Sequence, residues 1–312
     1  FLMEILPMIL TVLGLCVFEI VSSIDNAVVN AEVLGTMSPK GRRWFLIWGF
    51  LFAVILVRGL LPWLIVYFTT PTLGFIGSLT ATFSNDPSVM QSVHESAPIL
   101  FAGGGVFLIF LFFHWLFLEP KEYGLPGEKF FHAQGIWFYA VVGVLLTFVV
   151  WIAIRIDPRI AFSAVIGSTA FFITHGFKQN AELAEERMLK GSSGMSDLSK
   201  ILYLEVIDAT FSIDGVLGAF AFTLSVPLII LGNGLGAFVL RKLTVSNIDN
   251  IKKYIYLKNG AMYSILVLGT IMLMDAFGAH IPEWLSPVLT IGIITYFFFK
   301  SKKSIKKVNA TA

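Results

Sequence analysis

The sequence predicts an all-α fold: a polytopic membrane helix bundle of about nine spans that contains an inverted repeat. Three observations lead there. Hydrophobic residues make up 56% of the 312 residues and charged residues only 13%, and the mean hydropathy is +0.82, values that soluble globular domains of this size do not reach. The apolar runs have the roughly 20 residues that a helix needs to cross a hydrocarbon core about 30 Å thick, and they are too numerous to be signal peptides. Two of the runs carry similar acidic strings, EIVSSIDNAVVNA at 19–31 and EVIDATFSIDGV at 205–216.

In order, the apolar segments run at about 5–34, 44–68, 98–118, 136–156, 160–177, 201–223, 225–241, 259–278 and 284–300, within one transmembrane domain over 1–312. The first holds the first acidic string and leads into Lys40, Arg42 and Arg43. The second is followed by a stretch, Thr69 to Ala97, that contains no Lys or Arg. Lys121 and Lys129 follow the third, and a short turn at Asp157 joins the fourth to the fifth. The segment 178–200, with Lys178, Arg187, Lys190 and Lys200, reads as a cytoplasmic helix and flexible linker. The sixth span carries the second string and turns near Ser225 into the seventh, which meets Arg241, Lys242, Lys252 and Lys253. The basic tail KSKKSIKK follows the ninth. By the positive-inside rule the N-terminus lies outside and the C-terminus in the cytoplasm of a cell membrane. Arg155 and Arg159 fall on the wrong side of that arrangement.

Placing Asp25 on Asp214 superposes Ser23 on Ser212, Ile24 on Ile213 and Glu19 on Asp208, with Glu205 as an extra acid one turn earlier. With an odd number of spans, the helices carrying the two strings cross the membrane in opposite directions, so the repeat is inverted. An inverted repeat with matched polar interruptions at mid-depth is the pattern of a secondary transporter whose site lies at the repeat interface. An acid at a helix centre costs roughly 2.5 to 3.5 kcal/mol on insertion scales, so Glu19, Asp25, Glu205, Asp208 and Asp214 require compensation on the order of 10 kcal/mol. Spans 1 and 6 contain no basic residue near mid-depth. That leaves protonation or a bound cation.

Carboxylates, Asn26 and the hydroxyls of Ser23 and Ser212 form an all-oxygen ligand set, which suits Mg, Ca or Mn rather than Zn or Cu. Manganese tolerates oxygen ligands while binding more tightly than the other two, but the residues alone leave all three open. The single cysteine, Cys16, excludes an intramolecular disulfide and a thiolate-rich metal site. No prosthetic group is expected, and the formal charge of +2 carries no message about nucleic acid. Six residues turn a helix by about 240°, so Glu19 and Asp25 cannot share a face of an unbroken helix, and neither can Asp208 and Asp214. Either both helices unwind at their serines, near Ser22–Ser23 and Phe211–Ser212, where freed carbonyls would add ligands, or the outer acids serve a second role such as proton carriage; unwinding is the favoured expectation.

Other polar residues carry weaker expectations. His114 and His175 fit packing or interface roles better than proton carriage. Arg58 is expected to snorkel or to pair with an acid. The glycines around Asn233 in LGNGLGAF are expected to permit close helix packing. The string SNIDN at 246–250 is expected to lie in a basic loop, with Ser246 or Asp249 as a helix N-cap.

The first string resembles the E-x(5)-DN signature, and the second the E-x-x-D-x-x-F-S-x-D signature, of the TerC family of integral membrane proteins in the LysE-like transporter group, whose longer-chain relatives are of unknown function. The resemblance implies a core of two inverted three-helix units, with the acidic motif in the first helix of each, and manganese export as the activity. It also implies a metal site formed by Glu19, Asp25, Asn26, Glu205, Asp208, Ser212 and Asp214. Gly215 stands where the first repeat has Asn26, so the halves are not equivalent donors.

Exporting a dication against an inside-negative potential costs about 4.6 kcal/mol per 100 mV, and carboxylates that exchange metal for protons would supply it. The expectation is therefore a non-enzymatic cation/proton antiporter whose partners are a divalent metal ion, protons and the bilayer. A cation channel, a calcium or magnesium transporter and an intramembrane aspartyl protease using Asp25 and Asp214 are the rivals, and a purely structural membrane protein offers no reason for five intramembrane acids.

Overall fold

The computed structural model describes residues 2–49, 51–70, 73–81, 87–189 and 196–311. Among them every regular element is helical. Among the described residues five helices are long and apolar enough to cross a membrane, over Ile5–Ser22, Gln91–Leu118, Gly135–Ala153, Pro158–Asn180 and Leu257–Ala276, and Arg58–Phe68 is a shorter apolar one. The other expected spans coincide with helices that carry acids or basic ends.

The first expected span is two helices, α1 (Leu2–Ser22) and α2 (Ile24–Gly35), joined at Ser23. The serine pair accounts for the joint. Ser22 Oγ donates to the Glu19 carbonyl at 3.4 Å and Ser23 Oγ to the Glu19 carboxylate at 3.0 Å, and hydroxyls that bond one turn back bend a helix. The kink is shallow, because Ser23 N still reaches Glu19 O at 3.1 Å and Ala27 N reaches Ser23 O at 3.0 Å.

The second expected span is not one α-helix. The short α3 (Pro39–Trp44) passes into π-helical stretches at Phe45–Gly49 and Phe52–Leu60, and then into α4 (Leu61–Thr69). Pro62 lacks the amide that would close an α-turn onto Arg58, and its ring crowds that carbonyl. The wider π register resolves the conflict.

After α5 (Gly74–Ala81), the chain forms the long α6 (Pro87–Leu118), then α7 (Glu128–Ala133), α8 (Phe138–Ala153) and α9 (Pro158–Leu189). The expected linker at 178–200 is thus helical to Leu189, and its residues 190–195 lie outside the described ones. The second motif lies on α10 (Asp197–Phe220), followed by α11 (Val226–Lys252), α12 (Leu257–Ala276) and α13 (Leu285–Thr311).

Two expectations need correction here. Helix α10 runs unbroken through Phe211–Ser212. Ser212 Oγ donates to the Asp208 carbonyl at 2.6 Å, a back-bond that an intact helix accommodates, and no second serine adjoins it. The string SNIDN is helical within α11 rather than part of a loop, so neither Ser246 nor Asp249 is an N-cap.

α6 is the axis of the bundle, with α9 and α12 packed along it, while α1 packs against α11 and α13. Fully buried Phe107, Phe110, Trp115, Phe138, Phe171 and Phe220 fill the main core. Connections tie the ends together. The Asp197 carboxylate accepts from Ser38 N at 3.3 Å and from Ser38 Oγ, and Lys200 Nζ reaches Thr36 Oγ1 at 2.9 Å. At another seam, buried Glu128 accepts from Gly124 N at 2.7 Å, Leu125 N at 3.0 Å, Asn259 Nδ2 at 3.0 Å and Tyr263 Oη at 3.0 Å. The start of α10 is thereby latched to the loop after α2, which fixes how the two motif helices meet.

Candidate functional site

The two motif helices meet at positions within the two aligned strings. Asn26 on α2 is buried and donates from Nδ2 to Asp208 Oδ1 on α10. Glu19, 2% exposed at the end of α1, lies against the other motif in turn: a Cβ on Gly215 would sit 3.1 Å from Glu19 Oε2. Under the superposition of Asp25 on Asp214, Asn26 corresponds to Gly215 and Glu19 to Asp208. The pairs Asn26–Asp208 and Gly215–Glu19 thus join positions that the alignment exchanges, the first through a hydrogen bond and the second through close approach. The serines match as well, since Ser23 Oγ bonds the Glu19 side chain and Ser212 Oγ the Asp208 backbone, each one turn back.

The compensating charge comes from outside both motif helices. Arg58, on the second π-helical stretch, is 3% exposed. Its Nε donates to Glu19 Oε1 at 3.1 Å, its Nη2 pairs with the same oxygen, and its Nη1 lies 3.5 Å from Asp208 Oδ2. One guanidinium thus bridges the two acids that the repeat makes equivalent. Besides protonation and a bound cation, an internal arginine is a third way to hold these acids in the membrane. It fulfils the expectation that Arg58 pairs with an acid.

Beside this bridge lies a cavity of about 60 Å³, lined by Ser23, Asn26, Asn30, Arg58, Asp208 and Arg241 among its polar groups. It has room for a few water molecules or one partly hydrated ion. Two amide oxygens one turn apart on α2, Asn26 Oδ1 and Asn30 Oδ1, are buried without a hydrogen-bond partner. Close by, both oxygens of Glu205 are buried and likewise unpartnered, three residues before Asp208 and so on its face of α10. The Glu205 carboxylate packs on Gly49, where any Cβ would collide with it. Arg241 reaches in from α11, donating from Nη2 to the Phe45 carbonyl at 2.5 Å and lying 4.5 Å over the Phe45 ring.

The glycines of LGNGLGAF allow this approach. A Cβ on Gly232 would lie 2.5 Å from Leu15 Cβ, and one on Gly236 would lie 2.7 Å from Glu19 Cβ and 2.8 Å from the Cys16 carbonyl. Close packing is thus their role, while Asn233 is fully buried with its amide unpaired. The other predicted residues are placed differently. Asp214, six residues beyond Asp208, points to another side of α10 and pairs with Lys178 Nζ at 2.5 Å. Ser212 is spent on its own backbone. The Asp25 side chain lies outside the described residues. Among the described residues, no three of His, Cys, Asp and Glu come together as a metal-holding group. The donors that do converge are two carboxylates with neutral amide and hydroxyl oxygens. His114 and His175 meet at a tilt with ring centres 3.9 Å apart, and His175 stacks on Phe171; neither lines this cavity.

The chain matches, over residues 24–307, the family model described as a protein of unknown function, DUF475. It belongs to the DUF475 family. No curated protein and no solved structure gives a match. The matched region of this DUF475 chain includes Asn26, Arg58, Glu205, Asp208 and Arg241 and begins five residues after Glu19. Sequence reasoning on the DUF475 chain passed over Asn30, Arg241 and Lys178. Asn30 had a signal, since it follows Asn26 by four and shares its helix face. The two cations had none, because their partners lie on other helices.

Proposed function

We propose that this DUF475 protein is a secondary transporter of divalent cations, with manganese as the favoured substrate, exporting metal in exchange for protons. The bundle has nine spans, with the N-terminus outside and the C-terminus cytoplasmic, and spans 1 and 6 are equivalent members of an inverted repeat. The carrying observation is the exchanged contact, Asn26 with Asp208 and Gly215 with Glu19, which is what a two-fold relation between motifs produces. The likeness of both strings to TerC motifs supports the same reading.

In this reading the metal sits between α2 and α10. Glu19 and Asp208 supply charge, with Asp25 on the adjoining turn. The unpartnered Asn26 Oδ1 and Asn30 Oδ1 complete a hard-oxygen shell with the Ser23 hydroxyl, matching manganese, magnesium or calcium. Carboxylates released by the metal are the groups that take up protons on the return step. Lys178 on Asp214 counts against an aspartyl-protease dyad, which needs two carboxylates sharing one proton.

Reconstituted proteoliposomes test this. A manganese gradient should drive saturable uptake with opposite proton movement, and Asp208→Asn or Asn26→Ala should abolish it. Manganese flux that moves no protons would leave a channel or uniporter, and flux unaffected by both substitutions would remove the site.

A further inference from the structure

Arg58 is more than the partner of two acids. It is a permanently charged side chain bridging the acidic residue of one repeat and its equivalent in the other, at the edge of a cavity whose amide oxygens it leaves unpartnered. A buried pair that served only stability would be expected to satisfy its surroundings. One turn along α10 from Asp208, a rise of about 4.5 Å, waits a second carboxylate: Glu205, buried, with neither oxygen hydrogen-bonded. Glu205 interacts electrostatically with Arg58 and Arg241. It abuts Gly49 on the same chain segment that carries Arg58, so the guanidinium can reach it without crossing the bundle.

Resting on the cation reading, we propose that Arg58 is a tethered counter-cation: it fills the site when no metal is bound and hands Glu19 and Asp208 to an incoming dication by swinging to Glu205. In the empty state the guanidinium neutralises part of the acidic pair in the low-dielectric interior. When the dication arrives, the two carboxylates balance its charge and Arg58 moves to Glu205, which Arg241 also faces, so neither Arg58 nor Glu205 is left without an opposite charge. Metal affinity is thereby set by competition with a ligand that is always present, which keeps release possible from an otherwise strongly anionic site.

The test is a double-mutant cycle on the full-length protein in detergent, with manganese chloride as probe, a chelator control and the melting temperature as readout. Arg58→Gln should tighten the manganese dissociation constant about tenfold, within the usual range of coupling between sites. Its melting point should fall in chelator and recover with manganese. Glu205→Gln should weaken binding by a similar factor in the wild-type background and have no effect in Arg58→Gln, because Glu205 acts only by receiving Arg58. Equal weakening in both backgrounds would make Glu205 a direct ligand and overturn the transfer. Unchanged or weaker binding in folded Arg58→Gln would overturn the competition. If that variant does not fold, Arg58→Lys keeps the charge but cannot bridge both acids, so its affinity should rise several-fold, and no rise overturns the proposal equally. A wild-type protein whose melting point does not respond to manganese, magnesium or calcium would remove the cation reading itself. A wild-type response with no gain in the Arg58 variants would remove only the counter-cation role.

Discussion

Gly236→Ala adds one methyl group at the point where α11 presses on the first motif. That carbon would meet Glu19 Cβ at 2.7 Å, the Cys16 carbonyl at 2.8 Å and Glu19 Cγ at 3.0 Å. None of these is the free end of a side chain, so the helices must part. Restoring ordinary contact of about 3.5 to 4.0 Å opens the seam by about 1 Å. Overpacking of this kind costs about 1–3 kcal/mol, and the same displacement carries Glu19 away from the Arg58 Nε that now lies 3.1 Å from it. The expected outcome is a lower melting temperature in detergent together with impaired manganese response. Gly143→Ala is the control. A Cβ on Gly143 would meet nothing within 4 Å, and replacing a helical glycine with alanine gains up to about 1 kcal/mol of helix propensity. Equal melting temperatures for the two variants would refute the seam and with it the placement of α11 on Glu19.

Three further outcomes follow from the structure. Glu128→Ala removes a buried acceptor of four hydrogen bonds; leaving buried donors without a partner should destabilise the protein by at least about 1–3 kcal/mol, and a melting temperature within a degree of wild type would contradict that. Lys121, just beyond α6, is held by burial at about 8, below its ordinary 10.5. The unfolded chain therefore binds more protons than the folded one between those values, and stability should rise with pH from about 8 to about 10.5. Lys121→Met should remove this increment, measured as the difference in melting temperature between the two proteins across that range. Finally, in a Cys16→Ser background, cysteines at Ser38 and Asp197 should react with an impermeant maleimide from one side of the membrane, and a cysteine at Glu283 from the other. Labelling of all three from the same side would contradict the alternation of spans.

Much of the architecture was legible because hydropathy and membrane insertion obey the same physics: long apolar runs must be helical where water is absent. The alignment of Asp25 on Asp214 was legible too, but it did not say which residues meet: Asn26 lies on Asp208 and Glu19 beside Gly215, while Asp214 turns to Lys178. Only one of the two expected helix breaks is present, because the rule about serines did not separate a doublet, Ser22–Ser23, from a lone Ser212 that bonds its own backbone. Lys178 and Arg241 escaped notice for a different reason. Local spacing predicts partners within a helix, whereas Lys178 reaches Asp214 and Arg241 the Phe45 carbonyl from elements far along the chain. The π register of Phe52–Leu60, which aims Arg58 inward, has no periodic signature beyond Pro62.

The joint at Ser23 has no counterpart in the second motif helix. Helix α10 carries Asp208 on an unbroken helix whose start is latched to the loop after α2, while Asn26 and Asn30 ride on α2, joined to α1 at Ser23. A break in regular helix is the easier place to bend, so the two arms of matching sequence pattern differ in where they can give. If the proposed transport reading holds, a change of access that bends such a pair would be borne by the first arm, so the amide oxygens would travel while the Asp208 carboxylate stays put, and the site would be taken apart from one side rather than prised open symmetrically.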